Sequence, residues 1–149
     1  MQGNDKKLKI LFLCTGNSTR SQMAEGWARH LKGTIIEPYS AGVETHALNP
    51  IAVRVMTEAG VDISDHYSKL VTSIDTSNFD YVITVCGHAY ETCPVFPGKS
   101  KIIHKGFDDP PVIAKNVETE KEKLDIYRRV RDEIAAYIKQ LPEILNKTL

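Results

Sequence analysis

The residues with most capacity for chemistry lie in one octapeptide, Cys14-Thr15-Gly16-Asn17-Ser18-Thr19-Arg20-Ser21. A cysteine and an arginine joined by small and polar residues form a pattern suited to a tetrahedral oxyanion. Successive backbone N–H groups of such a loop turn inward as a nest, and a helix behind it adds its positive end. The same field stabilises a thiolate. A free cysteine has a pKa of about 8.5, and cysteines at helix N-termini or beside cations fall to roughly 3.5–7.5, so Cys14 is expected to be substantially ionised near neutral pH. Arg20 supplies a planar fork that grips two oxygens of an anion above the sulfur, and Ser21 a hydroxyl that can donate to that sulfur. Asn17 is expected to hold the loop in shape, because its side chain bonds neighbouring backbone and it tolerates left-handed geometry. A cysteine alone at a strand end is ordinarily a small buried hydrophobe. The company of Gly16, Asn17 and flanking hydroxyls, between a strand and a helix, favours chemistry instead.

Cys86 and Cys93 bring the cysteine total to 3. In a reducing compartment thiols stay free unless they are catalytic or bind metal. The spacing of Cys86 and Cys93 fits neither of the usual zinc patterns built on closely paired cysteines. His46, His66, His88 and His104 show no i, i+4 pairing on a helix face, so neither a metal nor another cofactor is expected. Asp108-Asp109, ahead of Pro110-Pro111, reads from spacing alone as a turn.

These groups need a scaffold to bring them together. With 149 residues, 42% of them apolar, the chain is expected to form one domain over 1–149 with a real hydrophobic core. Lysine plus arginine equals aspartate plus glutamate at 19 each, which gives no reason to expect nucleic acid or an anionic membrane as partner. The apolar run near the N-terminus is too short for a signal-peptide core or a membrane span, so a cytoplasmic protein, acting as a monomer, is expected.

Lys7 to Leu13 reads as a strand. Ser21 to Leu31 has helical spacing, with Met23, Trp27 and Leu31 on a buried stripe. Thr34 to Tyr39 reads as a second strand ending in a Ser40-Ala41-Gly42 turn, and Asn49-Pro50 opens a helix that stops at Gly60. Tyr81 to Val85 and Lys101 to His104 are two more strands. Glu118 to about Leu145 is a long amphipathic helix with Leu124, Tyr127, Ile134, Tyr137, Ile138 and Leu141 inward, and Pro142 is expected to kink its last turns. This alternation predicts an α/β fold of three layers, a four-stranded parallel sheet with helices on both faces and right-handed crossovers. Loops at the carboxyl ends of the strands then gather Cys14, Cys86 and Asp109 on one edge.

The octapeptide resembles the phosphate-binding loop of the low-molecular-weight tyrosine phosphatase fold. Two branches share it, protein tyrosine phosphatases and thioredoxin-coupled arsenate reductases. Resemblance to the second runs from Leu8 to the end of the chain through SQMAEGWARH, SAGVETHALNP, VDISDHYSKL, TVCGHAYETCP and GFDDP. It implies arsenate as substrate and thioredoxin as electron donor. Cys14 is then the nucleophile, and Thr15, Gly16, Asn17, Ser18, Thr19 and Arg20 cradle the oxyanion. Ser21 partners the thiolate, Cys86 resolves, Cys93 shuttles and Asp109 is the general acid.

A phosphatase of this type needs one cysteine, whereas an arsenic adduct resolved by a second thiolate leaves a disulfide that a third can carry outward. Phosphatases usually follow the acid with a tyrosine pair lining an aryl pocket; here Pro111 and Val112 follow. If 86–93 were helical when reduced, seven steps of about 1.5 Å would separate the two Cα atoms by roughly 10 Å. A disulfide allows only about 4.4–6.8 Å, so Gly87 to Thr92 is expected to rearrange on oxidation. The potassium site of some reductases would fall at Asn17, Glu25 and Ser40, with Lys69 in the place of an acid. Lys69 is expected to pair with Glu25 and to make potassium dependence weak or absent. His66 matches a family histidine near the loop. A phosphatase and a non-enzymatic thiol switch are the alternative readings.

Overall fold

The computed structural model describes residues 6–75, 77–85 and 100–148. Four strands, β1 (Leu8–Cys14), β2 (Ile36–Gly42), β3 (Tyr81–Thr84) and β4 (Lys101–His104), form one sheet in the order β2-β1-β3-β4. All three pairings are parallel. The α-helices among the described residues are α1 (Arg20–Lys32), α2 (Pro50–Glu58), α3 (Pro110–Ile113), α4 (Glu120–Lys139) and α5 (Glu143–Thr148).

Central β1 explains the apolar run near the N-terminus. Neighbouring strand residues point to opposite faces, yet Ile10, Leu11, Phe12 and Leu13 are all completely buried. Both faces of the sheet are therefore covered, as expected of a parallel sheet in a three-layer fold. In α1, Met23 and Trp27 lie in the core while Leu31 is half-buried. All six apolar residues assigned to the inner face of the last long helix are buried.

Two expectations need correction. The Ser40-Ala41-Gly42 segment is not a turn but the end of β2, paired in register as Phe12↔Ser40, Leu13↔Ala41 and Cys14↔Gly42. Its small residues serve a close approach: a Cβ on Gly42 would come within 2.6 Å of the Glu44 carbonyl oxygen and 2.7 Å of that of Thr15. The helix expected to run to about Leu145 is two helices, because α4 ends at Lys139 and α5 begins at Glu143. Pro142 lacks an N–H and restricts the residue before it, so it separates the helices rather than kinking one.

The helix starts follow local chemistry. The Asn49 side chain accepts from the Ile51 and Ala52 amides, with Pro50 at the first helical position. Thr119 and Glu122 form a capping box at α4, satisfying amides that have no partner within the helix. Gly60, with φ of 87°, ends the turn after α2 in a conformation that side chains disfavour. Asp109-Pro110 opens the single-turn helix α3, where spacing alone had suggested a plain turn.

Candidate active site

β1 delivers Cys14 at its last residue and α1 begins at Arg20, so the chain between them crosses the carboxyl edge of the sheet. Every carbonyl from Cys14 to Thr19 accepts a hydrogen bond. Cys14 O accepts from Val43 N (3.3 Å), Thr15 O from Glu44 N (3.0 Å) and Gly16 O from His46 N (3.1 Å). Ser18 O accepts from Asn49 N (3.1 Å) and Thr19 O from Met23 N (2.9 Å). Asn17 O accepts from Gln22 Nε2 at 3.0 Å. A trans peptide is planar, with its C=O and the following N–H pointing opposite ways. Holding these six carbonyls against surrounding structure therefore turns the amides of Thr15 through Arg20 the other way, as an anion nest requires.

The loop's shape rests on Asn17, which is fully buried and is the one non-glycine residue with positive φ among the described residues, at 51°. Its amide donates to Ser21 Oγ at 2.8 Å and its carbonyl oxygen accepts from Lys69 N at 2.8 Å and Gln22 Nε2 at 3.1 Å. Ser21 Oγ in turn lies 2.9 Å from Cys14 Sγ. Since Asn17 already donates to that hydroxyl, the serine proton is left to point at the sulfur, the polarity that favours a thiolate. At the N-terminus of α1, Thr19 makes no side-chain cap bond, so its hydroxyl does not occupy the amides of the first turn.

Arg20 is buried, with Nη1 donating to Phe107 O at 3.0 Å and Nη2 lying 3.3 Å from Asp109 Oδ2. Its buried Nε–H has no hydrogen-bond partner among the described residues. An unsatisfied buried donor is costly, and an oxyanion in the loop is the kind of group that would satisfy it. Cys14, Thr15, Gly16, Ser18, Thr19, Arg20 and Asp109 line one cavity of about 350 Å³, joined by His46, Asn49 and Pro111. Two larger grooves of about 620 Å³ both reach Lys69, one of them also His66, and neither is lined by a cysteine.

The sequence marks Asn49 as a helix start and His46 as one of several scattered histidines, and it assigns neither to the site they line. Their signal was position alone: both lie in the loop that follows a parallel strand at its carboxyl end. His46 carries Glu44 on its Nε2 at 2.7 Å and stands over Gly16, where an added Cβ would lie 2.2 Å from its Cδ2. Lys69 does not pair with Glu25 as expected. Glu25 binds Arg29, one turn further along α1, at 2.8 Å, and Ser40 Oγ donates to it at 2.5 Å. Lys69 Nζ instead donates to Tyr67 O at 2.8 Å and lies 4.6 Å from the Tyr67 ring centroid, and burial lowers its pKa while Glu25 pulls the other way. Among the described residues no cluster of three or more His, Cys, Asp or Glu could hold a metal ion, and no helix is long and apolar enough to cross a membrane. Cys86, Cys93, His88 and the Gly87 to Thr92 segment lie outside the described residues.

A parallel sheet that carries a cysteine into a ring of backbone amides, with an arginine and a carboxylate at its mouth, defines a class of cysteine-dependent oxyanion enzymes. Residues 9–149 match the low molecular weight phosphotyrosine protein phosphatase family, and the chain belongs to that family. An arsenate reductase of Bacillus licheniformis is 52% identical over 137 residues, covering 92% of this chain and 96% of that protein. The solved structure of an arsenate reductase in the reduced state superposes with a TM-score of 0.71 at 30% identity, covering 93% of this chain and 98% of that one. A thioredoxin-dependent arsenate reductase of Corynebacterium glutamicum gives 0.67 at 27% identity, over 96% of this chain and 64% of that one.

Proposed function

We propose that this protein reduces arsenate to arsenite in the cytoplasm, with Cys14 as nucleophile, a disulfide relay through Cys86 and Cys93, and a thioredoxin-type dithiol as electron source. The observation that carries the reading is the Cys14 sulfur, 2.9 Å from the Ser21 hydroxyl, at a ring of peptide units turned to receive an oxyanion. The names of its relatives support arsenate as that oxyanion, and the two further cysteines support reduction rather than hydrolysis.

The reaction begins as the Cys14 thiolate attacks arsenic while the Thr15 to Arg20 amides and the Arg20 guanidinium balance the charge on the remaining oxygens. One arsenic–oxygen bond breaks and its oxygen leaves as water, taking a proton from Asp109 as general acid. The Cys86 thiolate then attacks Cys14 Sγ. A Cys14–Cys86 disulfide forms, the sulfur–arsenic bond breaks, and its electron pair stays on arsenic, which departs as arsenite. Attack by Cys93 on Cys86 moves the disulfide to 86–93 and frees the Cys14 thiolate, and an external dithiol reduces that disulfide by exchange.

The test is an assay coupled to thioredoxin, thioredoxin reductase and NADPH, run on wild type and on each cysteine-to-serine variant. All three variants should lose arsenate-dependent turnover, and Cys93→Ser should accumulate a Cys14–Cys86 bridge visible by peptide mass mapping. Normal turnover by Cys86→Ser or Cys93→Ser would end the relay. A phosphatase is the second reading, favoured by the family's name. It predicts brisk hydrolysis of an aryl phosphate that survives both of those substitutions.

A further inference from the structure

We propose that Ser68 is a positioning residue for oxyanion binding: its hydroxyl holds the Gly16–Asn17 peptide so that the Asn17 amide faces the anion. The inference rests on the reading of the Cys14 loop as an oxyanion site.

Ser68 Oγ donates to Gly16 O at 2.8 Å, across 52 positions of sequence, and accepts from His46 N at 3.3 Å. Gly16 O thereby has two donors, since His46 N also reaches it at 3.1 Å. The need is local. Glycine has the freest backbone of the loop, so its peptide is the one most able to rotate. Rotation would turn the Gly16 carbonyl dipole towards the anion and the Asn17 N–H away from it, replacing an attraction with a repulsion. The His46 ring, which leaves no room for even a Cβ on Gly16, restrains the α-carbon, and Ser68 restrains the carbonyl.

The segment around Ser68 does not depend on that hydroxyl for its place. Tyr67 O accepts from Gln22 Nε2 at 3.0 Å, Lys69 N donates to Asn17 Oδ1 at 2.8 Å, and Lys69 O accepts from Gly42 N at 2.8 Å. Removing the hydroxyl should therefore leave the segment docked and the fold intact while loosening one peptide of the nest.

The experiment compares wild type, Ser68→Ala and Ser68→Thr by calorimetric titration with inorganic phosphate, steady-state arsenate reduction, thermal unfolding, and the Asn17 amide chemical shift on adding phosphate. Loss of one hydrogen bond of ordinary net strength predicts that Ser68→Ala raises the phosphate Kd and the arsenate KM by roughly five-fold. The kcat should change less, Tm should hold, and the Asn17 amide response should shrink. Ser68→Thr should restore all of these. The proposal is overturned if Ser68→Ala binds phosphate like wild type, if affinity falls only in step with Tm, or if threonine fails to rescue. Failure of wild type itself to bind phosphate would overturn the oxyanion reading together with this one, so the two failures are separable.

Discussion

At the scale of single residues, the thiol chemistry is controlled by who donates to whom around Ser21. The Asn17 amide supplies the hydroxyl oxygen with a proton, and the hydroxyl's own proton is directed at Cys14 Sγ. A hydrogen bond to a charged acceptor contributes about 1.5–3 kcal/mol, and one pKa unit corresponds to about 1.36 kcal/mol. Ser21→Ala should thus raise the midpoint of Cys14 alkylation by iodoacetamide by about one to two pH units, measured with Cys86 and Cys93 replaced by serine. An unchanged midpoint would mean that the loop amides alone set the thiolate. The cysteine, arginine and serine are legible in the sequence because their types and spacing suit a thiolate beside an oxyanion. Gln22, Ser68 and His46 are not, because a glutamine, a serine or a histidine acquires its role only from the carbonyl or α-carbon set against it.

At the scale of elements, helix caps both stabilise the fold and fix the rim of the site. The capping box of Thr119 and Glu122 lies at the start of α4, on residues that do not line the Cys14 cavity. Asn49 caps α2, and its side-chain Nδ2 also donates to Tyr127 Oη in α4 at 3.0 Å, tying two helices beside the cavity. Thr119→Ala should cost about 1 kcal/mol in chemical denaturation and leave the arsenate KM unchanged. Asn49→Ala should cost more, since the interhelix bond is lost along with the cap, and equal losses would show that the Tyr127 contact contributes nothing. Periodicity located β1, β3, β4 and the first two helices well, but it ran α4 and α5 together and read α3 as a turn. It missed the end of β2, where Ser40, Ala41 and Gly42 have turn-like chemistry but stand in a strand because the loop of β1 passes over them.

At the scale of the molecule, His66 ties the segment after α2 to two points on α1. Its Nδ1 lies 2.9 Å from Gln22 Oε1 and its Nε2 lies 3.3 Å from Arg29 Nη1. A neutral ring that donates from Nδ1 and accepts at Nε2 fits both neighbours, and a protonated ring would set two cationic N–H groups against each other. Burial, opposed by Glu25 and aided by Arg29, holds the His66 pKa below its ordinary value. The unfolded chain then binds the proton more readily than the folded one, so stability is intact above the usual histidine pKa of about 6.5 and falls as pH drops through the lowered one. Thermal melts between pH 7.5 and about 5 should show that decline, and His66→Gln should flatten it. A slope indifferent to the substitution would place the acid sensitivity elsewhere.

The order of strands and helices, the buried β1 run and the Cys14 to Ser21 loop follow from the sequence alone, because hydrophobic period and short-range spacing are local properties written in consecutive residues. The pairing of Arg20 with Asp109 and Phe107, the attachment of Glu25 to Arg29 rather than Lys69, and the clamp of His46 and Ser68 on Gly16 were decided by tertiary structure. Each joins groups whose distance depends on how the whole sheet and its crossovers pack, and no local pattern encodes that distance.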